Sequence, residues 1–260
     1  MQQAKKFITN KYMMFLYGTI FLFLLWWIVS LCANSLVVPS PIDTIALAFK
    51  YLGEGYTYVC LGYSLLRMLL GFLIAFVIAF LLGIIVNNNE KLYQFFTPLM
   101  TFFKAIPTAA LVFLFIVAIG AQNAPVLVVV LIGIPILYES IVGGLKSTGK
   151  AILEAAEVDG AKKIGQLFKI QLPLGVPYII VGMISTFSLS LKIEIMAEVI
   201  TGYTKNGLGS LIKGAQISDP TDMTPVFAYS LIAVVLMLIV TLVAYLLKQK
   251  LKDKIPNYES

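Results

Sequence analysis

The chain has no histidine, only two cysteines among 260 residues, and few charges: 12% of its residues are Asp, Glu, Lys or Arg. Without histidine the commonest metal ligand is missing, and neither a Ser-His-Asp nor a Cys-His nucleophilic site can be assembled. Cys32 and Cys60 are too few for a cysteine-based metal cluster within one chain. A soluble domain of this length carries about a quarter charged residues, so this scarcity of charge excludes an ordinary soluble fold. No internal repeat is visible. What fills the chain is apolar: 60% of residues are hydrophobic. The net charge of +6 reads as lysine-rich cytoplasmic loops of a membrane protein rather than as a nucleic-acid surface.

Each helical crossing of a bilayer needs about 20 apolar residues, and six runs qualify. They are Met13 to Ala33, Tyr63 to Val86, Phe96 to Gly120, Ala124 to Leu145, Val176 to Ile200 and Pro225 to Leu247. Pro98 and Pro107 interrupt the third run, and Pro135 is expected to kink the fourth. The first run is too long for a signal-peptide core and lacks a small-residue cleavage site, so it reads as an uncleaved helix. With six spans, Lys5, Lys6, Lys11, Lys91, the five lysines from Lys146 to Lys169 and the four from Lys248 to Lys254 share one side. Only Lys50, Lys205 and Lys213 fall on the other. The asymmetry places both termini and the segment from Lys146 to Pro173 in the cytoplasm. Between the first two spans, "VVPSPIDTIALAFKYL" reads as a short helix on the outer membrane surface, with Ile45, Leu47, Ala48 and Leu52 as a partial apolar face. It serves there, or it is a plain structured connector.

The cytoplasmic segment holds the most information. "GLKSTGKA" from Gly144 nearly spells a phosphate-binding loop, but such a loop needs a strand before it, and its magnesium-binding hydroxyl position here is Ala151. The match reads as chance. "AILEAAEVDG" follows, rich in helix formers. At 100° per residue Ile152, Ala156 and Gly160 share a face, flanked by Leu153 and Ala155, while Glu154 and Glu157 fall elsewhere. This helix offers a small-residue face to a close partner, or else the segment is a hairpin packed on its own bundle. Gly160 is expected to end the helix. Ile164, Leu167 and Phe168 then recur at helical spacing, and Pro173 and Pro177 are expected to end that second helix and start the fifth span.

Glu154, Ala155, Ala156, Gly160, Ile170, Leu172 and Pro173 stand at the spacing E-A-A-x3-G-x9-I-x-L-P. This resembles the EAA loop of binding-protein-dependent ABC transporter permeases. The resemblance runs from Val37 to Leu247. "SLLRMLLGFLIAF", the Ala197-Glu198 pair and "GLG" at Gly207 to Gly209 are similar to the nitrate/sulfonate/taurine-type branch, which includes systems for thiamine precursors. It implies an all-α integral membrane protein of about six transmembrane helices with a cytoplasmic coupling-helix loop. Residues 1–260 would form one transmembrane domain: a tail and first helix to 36, a permease core over 37–247, and a basic tail over 248–260. The resemblance further implies a non-catalytic subunit with no cofactor of its own. ATP and Mg would sit on two partner ATPase subunits, docked on the EAA loop. A second, identical permease chain, an extracytoplasmic substrate-binding protein and membrane lipid complete the expected partners; nucleic acid is not among them. The cargo would be a small polar or anionic organic solute.

Ionisable residues inside spans are costly in lipid. Arg67, Lys192, Glu194 and Glu198 are the candidate translocation path, with Arg67 and Glu139 close enough to helix ends to snorkel. Lys192 either faces the path and meets cargo, or pairs with Glu139 or with Glu194 of a second subunit. A secondary transporter would also carry buried charges, but would need neither the EAA loop nor an ATPase. Both cysteines are expected to be free thiols.

Overall fold

The computed structural model describes residues 11–33, 37–202 and 204–252. Both chain termini, with Lys5, Lys6 and Lys254 of the lysine count, lie outside the described residues. Among those described there are helices and connecting turns and no strand. The helices are α1 (Lys11–Cys32), α2 (Pro41–Leu52), α3 (Gly55–Asn87), α4 (Glu90–Ala105), α5 (Thr108–Ile119), α6 (Ala124–Lys146), α7 (Lys150–Val158), α8 (Lys163–Gln166), α9 (Leu172–Thr201), α10 (Leu208–Ser218) and α11 (Thr224–Lys252). Contacts gather them into two compact units: residues 1–58 with 211–233, and residues 59–210 with 234–260.

In the first unit α2 begins as its sequence asks. The Ser40 hydroxyl accepts from the Asp43 N–H at 3.1 Å and donates to the Asp43 carboxylate at 2.6 Å, and Pro41 occupies the first turn, where its missing N–H costs nothing. Thr44 and Ala48 turn inward while Ile42 and Phe49 stay exposed. Tyr51 stacks on Tyr229 with ring centroids 4.3 Å apart, and Trp26 stacks on Phe227 at 6.2 Å.

The second unit is built on α6 and α9, which approach closely because their facing residues are small. A Cβ on Gly144 would meet the Gly175 carbonyl at 2.8 Å, and one on Gly175 would meet the Gly144 carbonyl at 2.7 Å. Close backbone approach of this kind is how membrane helices gain packing energy without a hydrophobic driving force. The inner face of α3 joins them through Phe72, Ala75, Ala79 and Val86, packed with Leu137, Tyr138, Ile141 and Leu145 of α6. A second cluster joins Leu111 and Val112 of α5 to Val128 and Val129 of α6 and to Ile193 and Ala197 of α9.

Prolines act in two ways. At Pro107 the third run breaks: Ile106 is extended (φ −70°, ψ 128°), and α4 and α5 meet at 94°. A residue before proline is pushed out of the helical region, and the proline has no N–H to continue the ladder. Pro135 and Pro177, by contrast, lie inside continuous helices. The expectation that Pro173 and Pro177 end one helix and start another is not met. The chain runs from α8 through a π turn (Leu167–Gln171) directly into α9, where the Leu172 N–H reaches back to the Leu167 carbonyl. The wider π turn sits just where Pro173 would otherwise press on the preceding carbonyls, and Pro173 takes a first-turn position of α9.

The broken pair α4–α5 still connects the two ends of the unit. At one end Lys146 lies 3.5 Å from Glu90 and its ammonium sits 3.2 Å from the Tyr93 ring centre, while Asn87 donates to Gln171 at 2.8 Å. At the other end the Lys205 N–H donates to Gln122, just beyond α5, at 2.7 Å. α1, α3, α6, α9 and α11 are each long and apolar enough to cross a membrane, and the bent pair α4–α5 makes a sixth crossing if it is one span; the fold is that of a multi-pass membrane protein.

Candidate functional site: a coupling surface and a buried brace

The segment between α6 and α9 follows a helix, not a strand, so the Gly144–Ala151 sequence has none of the scaffold of a phosphate loop. α7 carries Glu154, Ala155 and Ala156, and none of its residues is buried. Gly160 ends the helix as expected. Its φ is +83°, its N–H donates to the Glu157 carbonyl at 3.0 Å, and the next N–H, of Ala161, reaches the Ala156 carbonyl at 2.9 Å. This pair of bonds is the Schellman stop, which favours glycine at the left-handed position. Gln166 on α8 holds the turn by donating to the Ala161 carbonyl at 3.1 Å and the Leu153 carbonyl at 3.5 Å. Ile152, Val158 (89% exposed), Ile164 and Phe168 stand out from this hairpin, whereas Leu167 is buried. Of the rest of the motif, Leu172 packs on the bundle core, Ile170 is half-buried and Pro173 is exposed.

At the opposite end of the second unit Arg67 and Glu198 meet. The Arg67 Nη1–Glu198 Oε1 distance is 2.8 Å, and both residues are buried. Arg67 therefore does not snorkel to a helix end. Its Nη1 also donates to the Asn206 carbonyl and its Nη2 to the Lys205 carbonyl, each at 2.7 Å. The other Glu198 oxygen accepts from the Ser64 hydroxyl at 2.7 Å and from the Gly209 N–H at 2.9 Å, and the Leu208 N–H donates to Ser64 at 2.9 Å. Each charge is thus surrounded by fixed partners, as a buried pair requires. The brace ties α3 and α9 to the loop entering α10. It also explains "GLG": a Cβ on Gly207 would lie 2.5 Å from Glu198 Oε1, and one on Gly209 would lie 2.5 Å from the Ile195 carbonyl. Ser64 is a functional neighbour that the sequence reading passes over, although its spacing three residues before Arg67 puts both on one face of α3.

The remaining charges separate. Glu194, one turn from Glu198, is fully buried, and among the described residues neither of its oxygens has a hydrogen-bond partner. Lys192 is exposed on α9. Its suggested partner Glu139 is taken by Lys104, at 2.6 Å, with both side chains about half exposed. Neither cysteine is in a disulfide; Cys32 is exposed and Cys60 buried.

Residues 56–253 match the family described as "Binding-protein-dependent transport system inner membrane component". The putative aliphatic sulfonates transport permease SsuC of Bacillus subtilis is 26% identical over 229 residues, 87% of this chain and 81% of that protein. The riboflavin transport system permease RibX of Chloroflexus aurantiacus is 28% identical over 247 residues, 93% of this chain and 89% of that protein. The fold is similar to a chain of the inward-facing MetNI methionine ABC transporter, with a TM-score of 0.62 and 17% identity, over 76% of this chain and 98% of that one.

Proposed function

The chain belongs to the family of binding-protein-dependent transport system inner membrane components, and is thus a non-catalytic ABC importer permease; from that premise we propose how it is driven and what it carries. The exposed hairpin of α7 and α8 is the surface on which a separate ATPase docks. Ala155 and Ala156 admit close approach, Glu154 lies at the rim, and Gly160 sets the turn. Ile170, Leu172 and Pro173 join the hairpin to α9. ATP and its magnesium ion bind the partner, not this chain. Two ATPase subunits closing on ATP carry the docked hairpins with them. A pair of identical permease chains then passes from inward-facing to outward-facing, a population shift driven by differential affinity for the two states. A loaded binding protein delivers cargo from outside, and hydrolysis resets the cycle. The cargo is a small polar or anionic organic solute, and Lys192 faces its path.

The observation that carries this reading is α7: a helix with no buried residue, closed by a glycine stop, at the lysine-rich end of the second unit. Lys91, Lys146, Lys150, Lys162, Lys163 and Lys169 belong to elements at that end, which supports a cytoplasmic place for it by the positive-inside rule. The test is co-purification of an ATPase with the chain and ATP-driven uptake in proteoliposomes. Ala156→Arg should leave insertion intact and abolish docking or uncouple hydrolysis from uptake. Full docking with normal uptake in that variant would overturn the reading. A cysteine at Lys150 should resist a membrane-impermeant thiol reagent in intact cells, whereas one at Lys205 should label.

A further inference from the structure

Glu194 belongs neither to the coupling surface nor to the brace. It is 0% exposed on α9, and among the described residues its two oxygens have no hydrogen-bond partner. Its neighbours on the helix do not serve it. One turn towards the hairpin end, the Ser190 hydroxyl donates to the Thr186 carbonyl at 2.8 Å. One turn the other way, Glu198 is engaged by Arg67, Ser64 and the Gly209 N–H. The charged groups that act on Glu194 are Glu198 and Arg67, so two carboxyl groups share one guanidinium. A buried carboxyl group without a partner costs stability where it stands. What it can gain lies in another arrangement of these three side chains.

That arrangement is within reach of Arg67. The helices α3 and α9 run antiparallel: Ser64 near the start of α3 meets Glu198 near the end of α9, and Asn87 at the end of α3 meets Gln171 just before α9. Arg67 lies three residues beyond Ser64, about 4.5 Å along its axis, and Glu194 lies four residues before Glu198, about 6 Å along its own. Glu194 and Glu198 share one face of α9. The Arg67 backbone thus stands nearer in height to Glu194 than to Glu198. Its side chain reaches back along α3 to Glu198 at 2.8 Å and to the Lys205 and Asn206 carbonyls at 2.7 Å. A change of rotamer, with both helices in place, turns it to Glu194 instead. The two carbonyls then lose their arginine donors, while Glu198 keeps the Ser64 hydroxyl and the Gly209 N–H.

We propose that Glu194 is a second seat for the Arg67 guanidinium, and that passage of Arg67 from Glu198 to Glu194 unlocks the loop entering α10. On Glu198 the arginine also holds the loop carbonyls and keeps the loop closed. On Glu194 it stays paired while the loop opens, so the interior never holds a bare guanidinium. The exchange stands on the geometry of the second unit and rests on the importer reading only for the ATPase that drives it.

The test uses the full chain in open membrane fragments, reachable from both sides, with Cys32 and Cys60 replaced and Thr204→Cys as reporter, because Thr204 is buried in this loop. The probe is ethylsulfonate methanethiosulfonate, whose rate reads how often the loop opens. Glu194→Gln should slow labelling about tenfold, since the open loop loses one charge-assisted hydrogen bond. Glu194→Asp should recover part of the rate. A Glu194 that only supports the fold predicts the opposite sign, because its loss would loosen the loop and speed labelling. A double-mutant cycle of melting midpoints in detergent tests the partner. Glu194→Gln alone should leave the midpoint unchanged or raise it. Combined with Glu198→Gln it should lower the midpoint by about 5 °C more than the single changes add up to, because Arg67 then has no carboxylate in either seat. Labelling that Glu194→Gln leaves unchanged or speeds overturns the proposal, and so does an additive cycle. Slowed labelling in a chain that captures no ATPase would keep the second seat and discard the importer reading instead.

Discussion

The two connections at opposite ends of the second unit are made on contrary plans. The loop entering α10 is held by a buried carboxylate and a buried guanidinium, whose hydrogen bonds take up the Lys205 and Asn206 carbonyls and the Gly209 N–H. The α7–α8 hairpin is held by its own backbone stop and one glutamine, and α7 buries no side chain. The first is part of the protein's interior, and its residues answer to stability. The second is a finished local structure with an open surface, and α7 contributes no buried side chain to the fold. A charged side chain can therefore be essential at one end and nearly silent for folding at the other.

The sharpest way to break this contrast is Arg67→Met. It strands Glu198 and two carbonyls inside the protein, and should cost about 3–5 kcal/mol, read as a lowered midpoint of thermal unfolding in detergent. Arg67→Lys should recover only part of this, because an ammonium lacks the planar fork that reaches Glu198 and both carbonyls together. A melt within error of the parent for Arg67→Met would show that the brace is not structural. Next comes Gly209→Val, whose side chain must displace the Ile195 carbonyl and the Glu198 stem; about 1–3 kcal/mol is expected from such overpacking.

Breaking the half-exposed pair with Lys104→Gln should cost no more than about 1 kcal/mol. A loss as large as that of Arg67→Met would mean the pair is enclosed in the assembled protein. At the bottom of the scale, Ala156→Arg should shift stability by less than about 0.5 kcal/mol while abolishing coupled uptake. Glu154→Ala should weaken ATPase docking by only about 0–1 kcal/mol, measured by pull-down titration.

Much of the fold is legible in the order of the amino acids. The apolar runs mark the crossings, because a bilayer imposes length and composition on a helix directly. Gly160 marks the end of α7, since a left-handed stop is a local requirement that one residue type meets best. The EAA spacing is legible for the same reason: its first four positions lie within two helical turns. Prolines are a poorer guide. Pro107 breaks its run and Pro135 and Pro177 do not, although each carries the same local defect. The difference lies in whether neighbouring packing can absorb the lost bond.

Sequence by itself determined where the helices apolar enough to cross a membrane lie and where α7 stops, because both follow from interactions between residues a few positions apart. Tertiary structure alone decided the fate of the charges. Arg67 and Glu198 are 131 residues apart, and Lys104 and Glu139 are 35 apart. Nothing in their local surroundings distinguishes a charge that will be enclosed with a partner from one that will stay half exposed. That distinction depends on which helices pack together, and here it depends on the small residues that let α6 and α9 touch.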